Sequence, residues 1–274
     1  FEHMERIVSL VVQRDIKGFF HRRITTLSDF TSRIFHVGDE GAATNVTRYL
    51  ILREILASNS FDYFKEVQNT PGFLQIVLGF ITELKETLIP AGDFRQRINQ
   101  VKPLEPDMSP KYEALARIYE LYTEELGRRG LRDRQDNLEI YREKCHSREG
   151  GNLAAQDPSF RWDDKKRFKQ LWLDGFFDFT PLQFEYLKEL CDLAEDVKIS
   201  LTYDPDLDRQ DLFEAVKPTV DQLQAMGFEI KEIPRSKQAE QDEEKIFQHI
   251  EKNLFSPKKS EPIKPSTALA LFEA

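Results

Sequence analysis

The chain has 274 residues, 40% of them hydrophobic and 11% aromatic, so it can fill a core and global disorder is excluded. A net charge of −9 excludes a surface that is basic all over and holds nucleic acid by bulk charge, though not a local binding groove. Two cysteines, Cys145 and Cys191, form no C-x-x-C pair and no zinc spacing, which fits a reducing, cytosolic compartment.

Residues 1–14 read as an amphipathic helix with Met4, Ile7, Val8 and Val11 on one face. Ile24-Thr25-Thr26-Leu27 reads as a short strand, followed by a helix capped by Ser28 or Asp29 and carrying Phe30, Ile34 and Phe35. Asn45 is the expected cap of a helix with Val46, Tyr49, Leu50 and Leu56. After Pro71-Gly72, the spacing of Phe73, Ile76, Val77, Phe80, Ile81, Leu84 and Leu88 predicts a long amphipathic helix. Ser109-Pro110 opens another, with Tyr112, Leu115, Ile118, Tyr119, Tyr122 and Leu126, ending near Gly127 and Gly130. Residues 146–160 are polar and read as a loop.

The pattern then changes. Phe168–Leu173 reads as a strand, 181–194 as a helix and Val197–Tyr203 as a strand. A crossover of that length implies parallel pairing. A helix near 217–226 leads to an expected strand at Phe228–Ile233. Residues 234–245 read as a charged linker, 246–255 as a short helix and 257–265 as an extended connector. The fold class expected is α/β with a large all-helical insertion. No run reaches membrane-spanning length and no signal peptide is visible. Phe1 at the start and the strand-like 267–272 at the end read as cuts from a larger protein.

The run Leu171-Trp172-Leu173-Asp174-Gly175-Phe176-Phe177-Asp178-Phe179-Thr180-Pro181-Leu182-Gln183 carries the chemistry. An apolar strand ends in an aspartate able to hold magnesium, as in nucleotide-hydrolysing motors. Where an adjacent glutamate would align the attacking water, this chain has Gly175. The bland alternative is an aspartate at an ordinary strand–helix turn; Asp178, Thr180 and Gln183 weigh against it. Trp172, inside the apolar strand, reads as core rather than as a base-stacking platform. His21 and His36 have no partner acid or nucleophile at a telling spacing and read as structural or surface residues. Gly127-Arg128-Arg129-Gly130-Leu131-Arg132-Asp133-Arg134 and Lys165-Lys166-Arg167 are basic clusters able to touch phosphates, with solvated helix ends as the plain alternative.

The Asp174–Gln183 run resembles motif II of UvrD-type superfamily-one helicases. Its Asp-Gly-Phe-x-x-Phe-Thr-Pro-x-Gln form is closer still to the AddB subunit of bacterial AddAB helicase–nucleases. Ile24-Thr25-Thr26-Leu27-Ser28-Asp29-Phe30 resembles the T-x-H-x-F-type motif that contacts single-stranded DNA in these helicases, with Ser28 at the usual His position. Lys111–Tyr122 and Leu131-Arg132-Asp133 resemble the insertion helix and the L-x-D element that follows it. Thr202-Tyr203-Asp204-Pro205-Asp206-Leu207 sits where motif III falls, without its Gly and with Leu207 near its phosphate-sensing Gln. His249–Phe255 resembles the exit toward a second motor domain. No G-x-x-x-x-G-K-[ST] occurs.

The resemblance implies part of a first RecA-like P-loop helicase domain with a parallel sheet (1–36 and 161–234), a helical insertion subdomain (37–160) and a linker toward an absent second RecA-like domain (235–274). It implies a helicase-like region without working motor activity, in a bacterial, cytoplasmic complex that repairs double-strand breaks. The partners implied are DNA, single-stranded or at a duplex end, and an active helicase/nuclease subunit of AddA type, with no membrane. Site residues carried over are Thr25, Thr26 and Ser28 for DNA, Asp174 as a vestigial Mg/ATP position and Gln183 as a remnant of motif II; Arg128 and Arg129 are added as phosphate contacts. No catalytic residue is assigned and no cofactor to this piece; Mg-ATP stays open for the parent. Two alternatives stand: a parent that hydrolyses ATP as a superfamily-one helicase, and a helical interaction scaffold without DNA binding.

Overall fold

The computed structural model describes residues 24–37, 40–101, 108–146, 168–203 and 213–231. The expectations for 1–14, His21, 147–160, Lys165–Arg167, 204–207, 232–233, 234–245, 246–255, 257–265 and 267–272 lie outside them. The described residues form two compact units, divided within one strand between Leu171 and Trp172, after Phe179, and within a second strand between Asp196 and Val197.

The first unit is mainly helical. Helix α1 spans Leu27–Ile34, α2 Asn45–Ser58, α3 Pro71–Glu86, α4 Ala91–Val101, α5 Ser109–Arg128 and α6 Asn137–His146. Threonines start three of the helices: Thr26, Thr44 and Thr70 each accept the amide proton of the residue three positions on, which satisfies one of the free donors of the first turn. The cap before α1 is therefore Thr26, not Ser28 or Asp29, and the cap before α2 is Thr44, not Asn45. The expected strand at Ile24–Leu27 is absent, because Leu27 already belongs to α1.

Helices α2, α3 and α5 bury one face each in a common core of Ile51, Leu52, Leu56, Leu74, Val77, Ile81, Ile118 and Tyr122. Burial of apolar surface on this scale is the main stabilising term. Gln68, buried in the loop between α2 and α3, donates to the Leu56 and Asn59 carbonyls and accepts from the Phe61 amide, so this turn costs no unpaired polar groups. The Gly41 carbonyl accepts from the Arg132 amide at 2.7 Å, and the Ala43 amide donates to the Arg132 carbonyl at 2.8 Å, which ties the segment before α2 to the one after α5. The φ of Gly41 is +76°, and a Cβ there would lie 2.6 Å from the Gly130 carbonyl oxygen, so only glycine fits.

A second core in the same unit joins α1, α6 and helix α7 (Pro181–Leu193) through Phe35, Leu138, Tyr141, Leu182, Tyr186 and Leu190. Arg142 of α6 reinforces it with bonds to Glu189 at 2.6 Å and Glu185 at 3.0 Å.

Strand β1 spans Phe168–Phe176 and β2 Ala194–Leu201, paired in parallel as expected. The pairs Gln170–Asp196 and Asp174–Ser200 are each 26 residues apart, and a constant offset is the mark of parallel register. β1 runs three residues beyond the expected Leu173, which places Asp174 and Gly175 within the strand. The second unit adds helix α8, Lys217–Ala225. The expected strand at Phe228–Ile233 is not formed in its described part: residues 228–231 pair with neither strand. Trp172 is not core: it is 71% exposed, with the Lys198 ammonium 4.8 Å from its ring. Strand alternation explains this, since buried Leu173 faces the other way.

Candidate functional site

Asp174 stands exposed near the carboxyl end of β1, where ligands commonly meet parallel sheets. Its Oδ1 accepts a hydrogen bond from the Ser200 hydroxyl of β2. Gly175 follows with φ +80°, a left-handed conformation that L side chains enter at a cost. The chain then turns: Phe176 and Phe179 stack with centroids 4.7 Å apart, Phe179 is buried, and Phe177 is 65% exposed.

Among the described residues no group of three His, Cys, Asp or Glu side chains can hold a metal. The one carboxylate at the strand end is engaged by Ser200, and the neighbouring position has the wrong backbone for a glutamate. At this strand end the aspartate is present and its neighbour is a left-handed glycine.

Gln183 lies in the other unit and has a defined local task. Its Oε1 accepts from the Thr180 amide at 2.9 Å, while Thr180 Oγ1 accepts from the Gln183 amide at 3.3 Å. This reciprocal capping box, with Pro181 in the first turn, starts α7.

The three candidate DNA contacts Thr25, Thr26 and Ser28 meet at the amino end of α1. Thr26 and Ser28 are exposed and Thr25 half-buried. The Thr26 hydroxyl already accepts from the Asp29 amide at 3.1 Å. A helix amino end favours anions, but Asp29 in the first turn offsets part of that field.

Arg128 and Arg129 lie at the opposite kind of end, the carboxyl end of α5, where cations suit the helix dipole. Arg128 makes two bonds to Glu125, at 2.7 and 2.6 Å. Arg129 bonds Glu125 at 2.6 Å and Glu54 at 2.5 Å. Arg128 and Arg129 together hold the Glu125 carboxyl down at about 2. Two acids thus neutralise two arginines, and a phosphate contact here would compete with Glu125 and Glu54.

The most deeply buried charged group belongs to the L-x-D element. Asp133 has no solvent exposure; Arg48 Nε lies 3.0 Å from its Oδ1, and Lys85 Nζ 2.8 Å from its Oδ2. The Tyr122 hydroxyl donates to Oδ1 at 2.9 Å. Lys85 aligns its hydrogen bonds with Asp136, at 2.8 and 3.0 Å, so its contact with Asp133 is an ion pair without an aligned hydrogen bond. Arg48 also donates to Thr82 at 2.8 Å. Burial, then the Asp133 charge, raises the Tyr122 phenol well above its usual range. This cluster links α2, α3, α5 and the turn at Arg134–Asp136. Sequence patterns lead to Asp133 but not to Arg48, Lys85 or Asp136. The available signal was the D-x-x-D pair Asp133 and Asp136, a capping-box pattern before α6.

A helical region and a parallel strand–helix–strand unit define the class: a mainly helical protein with a small parallel two-stranded sheet. The family model described as "ADDB, N-terminal" matches residues 3–155 and 160–251, and the chain belongs to that family. Among its relatives is an ATP-dependent helicase/deoxyribonuclease subunit, the B-type one, of Acetivibrio thermocellus. It is 26% identical over 185 residues, covering 66% of this chain and 15% of the relative. The protein of the same name from Thermoanaerobacter sp. strain X514 is 24% identical over 98% of this chain and 23% of its own length. That of Clostridium novyi is 27% identical over 70% of this chain and 15% of its own length. The chain therefore spans less than a quarter of these relatives. Among the described residues no helix is long and apolar enough to cross a membrane.

Proposed function

We propose that this chain is the non-catalytic, helicase-like region of a subunit that processes DNA double-strand breaks, and that it serves in strand guidance and partner assembly. The observation that carries this is the strand end, where Asp174 is followed by a left-handed Gly175; the resemblance to motif II would have a second acid there. The names of the relatives support it, each being a subunit of an ATP-dependent helicase/deoxyribonuclease. In this proposal the β1–α7–β2 unit is part of a RecA-like domain, and residues 37–160 are its helical insertion. Thr25, Thr26 and Ser28 contact a DNA strand, and Asp174 and Gln183 are what remains of motif II. The partner is an active helicase/nuclease subunit of AddA type, and the complex works in the bacterial cytoplasm.

The test is affinity purification of the full-length parent from its native cells, with co-purifying proteins identified by mass. A large partner with intact helicase and nuclease motifs is the expected result. Purification without such a partner would refute the assembly role. The pairing of Arg128 and Arg129 with acids favours a second reading, a helical scaffold that does not touch DNA. Salt-sensitive binding of single-stranded DNA separates the two, because phosphate contacts release counterions and a pure scaffold has none to release.

A further inference from the structure

The hydrogen bond from Ser200 raises the question of what the Asp174 carboxylate does in this chain. Side chains at even positions of β1 and β2 share one face of the sheet. Along that face Gln170 bonds Asp196 at 3.0 Å, Lys198 sits over Trp172 at 4.8 Å, and Ser200 donates to Asp174. The last two pairs lie in one compact unit. Two parallel strands alone are marginal, and parallel pairing is slightly weaker per residue than antiparallel. A slip of one residue would turn Ser200 to the opposite face and leave Asp174 without it. The Asp174–Ser200 bond therefore forms in one register only.

We infer that Asp174 is a positioning residue: it has exchanged a magnesium ion for the Ser200 hydroxyl and holds β2 in register on β1. Gly175 makes the exchange permanent. Its left-handed backbone leads the chain into the Phe176–Phe179 turn, so restoring a glutamate side chain at 175 does not restore the original geometry. The inference deepens the proposed function, since it explains why an aspartate survives in a motor without chemistry.

The test is a double-mutant cycle in the full-length protein with Asp174→Ala and Ser200→Ala, read by urea unfolding. Asp174→Ala is expected to lower the folding constant about fivefold, the scale of one exposed hydrogen bond. Asp174→Asn keeps an acceptor and recovers most of that loss. In a Ser200→Ala background the effect of Asp174→Ala is expected to be clearly smaller. Additive single effects would overturn the inference. So would manganese(II) binding, followed by electron paramagnetic resonance, that Asp174→Asn abolishes. Should Asp174→Ala fail to fold, amide exchange in Ser200→Ala alone decides: faster exchange over Val197–Leu201 supports the register role, and unchanged exchange refutes it. The folding outcomes do not bear on DNA or partner binding, so there the two proposals fail separately; manganese(II) binding at Asp174 would count against both.

Discussion

The Lys85 ammonium lies 2.8 Å from an Asp133 carboxylate oxygen, in a place where the acid is fully buried and the lysine 10% exposed. Arg48 approaches the other oxygen at 3.0 Å, and Asp136 supplies the second negative charge that balances the pair of cations. Each of these charges is tolerable only because the others are present. We predict that Asp133→Ala destabilises the helical region by about 3–5 kcal/mol, because it leaves the Arg48 guanidinium without its buried carboxylate while Lys85 keeps only Asp136. Asp133→Asn keeps an acceptor for Tyr122 and should cost less. Urea unfolding with an unchanged m-value is the check, and a loss below about 1 kcal/mol for the alanine variant would contradict the scheme.

The capping box at α7 gives Gln183 a role that needs no nucleotide. Thr180→Ala should cost about 1 kcal/mol. Gln183→Glu, which keeps the reach and the acceptor, should be nearly neutral, while Gln183→Ala should lie between. If Gln183→Glu were as damaging as Thr180→Ala, the glutamine would be acting elsewhere.

Gly175 offers a test that separates backbone from side chain. Gly175→Ala and Gly175→Glu should destabilise equally, by about 1–2 kcal/mol, because both pay for the left-handed conformation. Gly175→Asn should cost less, since asparagine enters that region more readily. Thermal unfolding of the three variants gives the order, and a glutamate variant as stable as the parent would show that the backbone there is free to change.

Leu88 presents the reverse case. It closes α3 with φ +57° and is 47% exposed, so its strain is offset by little packing. The Ile89 amide reaches back to the Leu84 carbonyl at 2.8 Å, a helix-ending arrangement that normally uses glycine. Leu88→Gly should therefore stabilise by about 0.5–1 kcal/mol, the relief of strain less the entropy of glycine. A loss of stability would mean that the leucine side chain is needed for packing.

Glu125 predicts an acid limb. Its folded value, held near 2 by Arg128 and Arg129, lies below the unfolded one. The stabilisation is therefore complete above about pH 4.5 and fades as pH falls toward 2. The group is exposed, so the effect is small and weakens in salt. Comparing unfolding midpoints at pH 6 and pH 3 for the parent and for Arg128→Ala with Arg129→Ala should show a smaller acid-induced drop in the double variant.

Helices α2, α3, α5 and α7 were legible because their apolar residues recur at three and four and small hydroxyl residues or Ser-Pro precede them. Their exact starts were not, since Thr44 and Asn45 are both good caps and only the hydrogen bond decides. The strand–helix–strand order was legible from the change in period. Its extent was not, because Asp174 and Gly175 look like strand terminators yet lie within β1. Trp172 was misplaced because an aromatic in an apolar run reads the same whichever face it takes. Asp133 was visible only through likeness. Arg48 and Lys85 lie on helices separated from it by long stretches of chain, and no local pattern announces that three such positions converge.

The offset of 26 residues between β1 and β2 also sets a schedule for synthesis. The core of α2, α3 and α5 is complete once Leu126 has left the ribosome, and its ionic cluster once Asp136 has. β1 emerges without a partner and must wait for α7 and then β2, so its edge and Trp172 stay open during that interval. Nascent chains arrested with residue 145 exposed should already resist protease across 45–101 and 109–136. Chains arrested at residue 180 should still be cut within β1, and that sensitivity should vanish only after residue 201 has emerged.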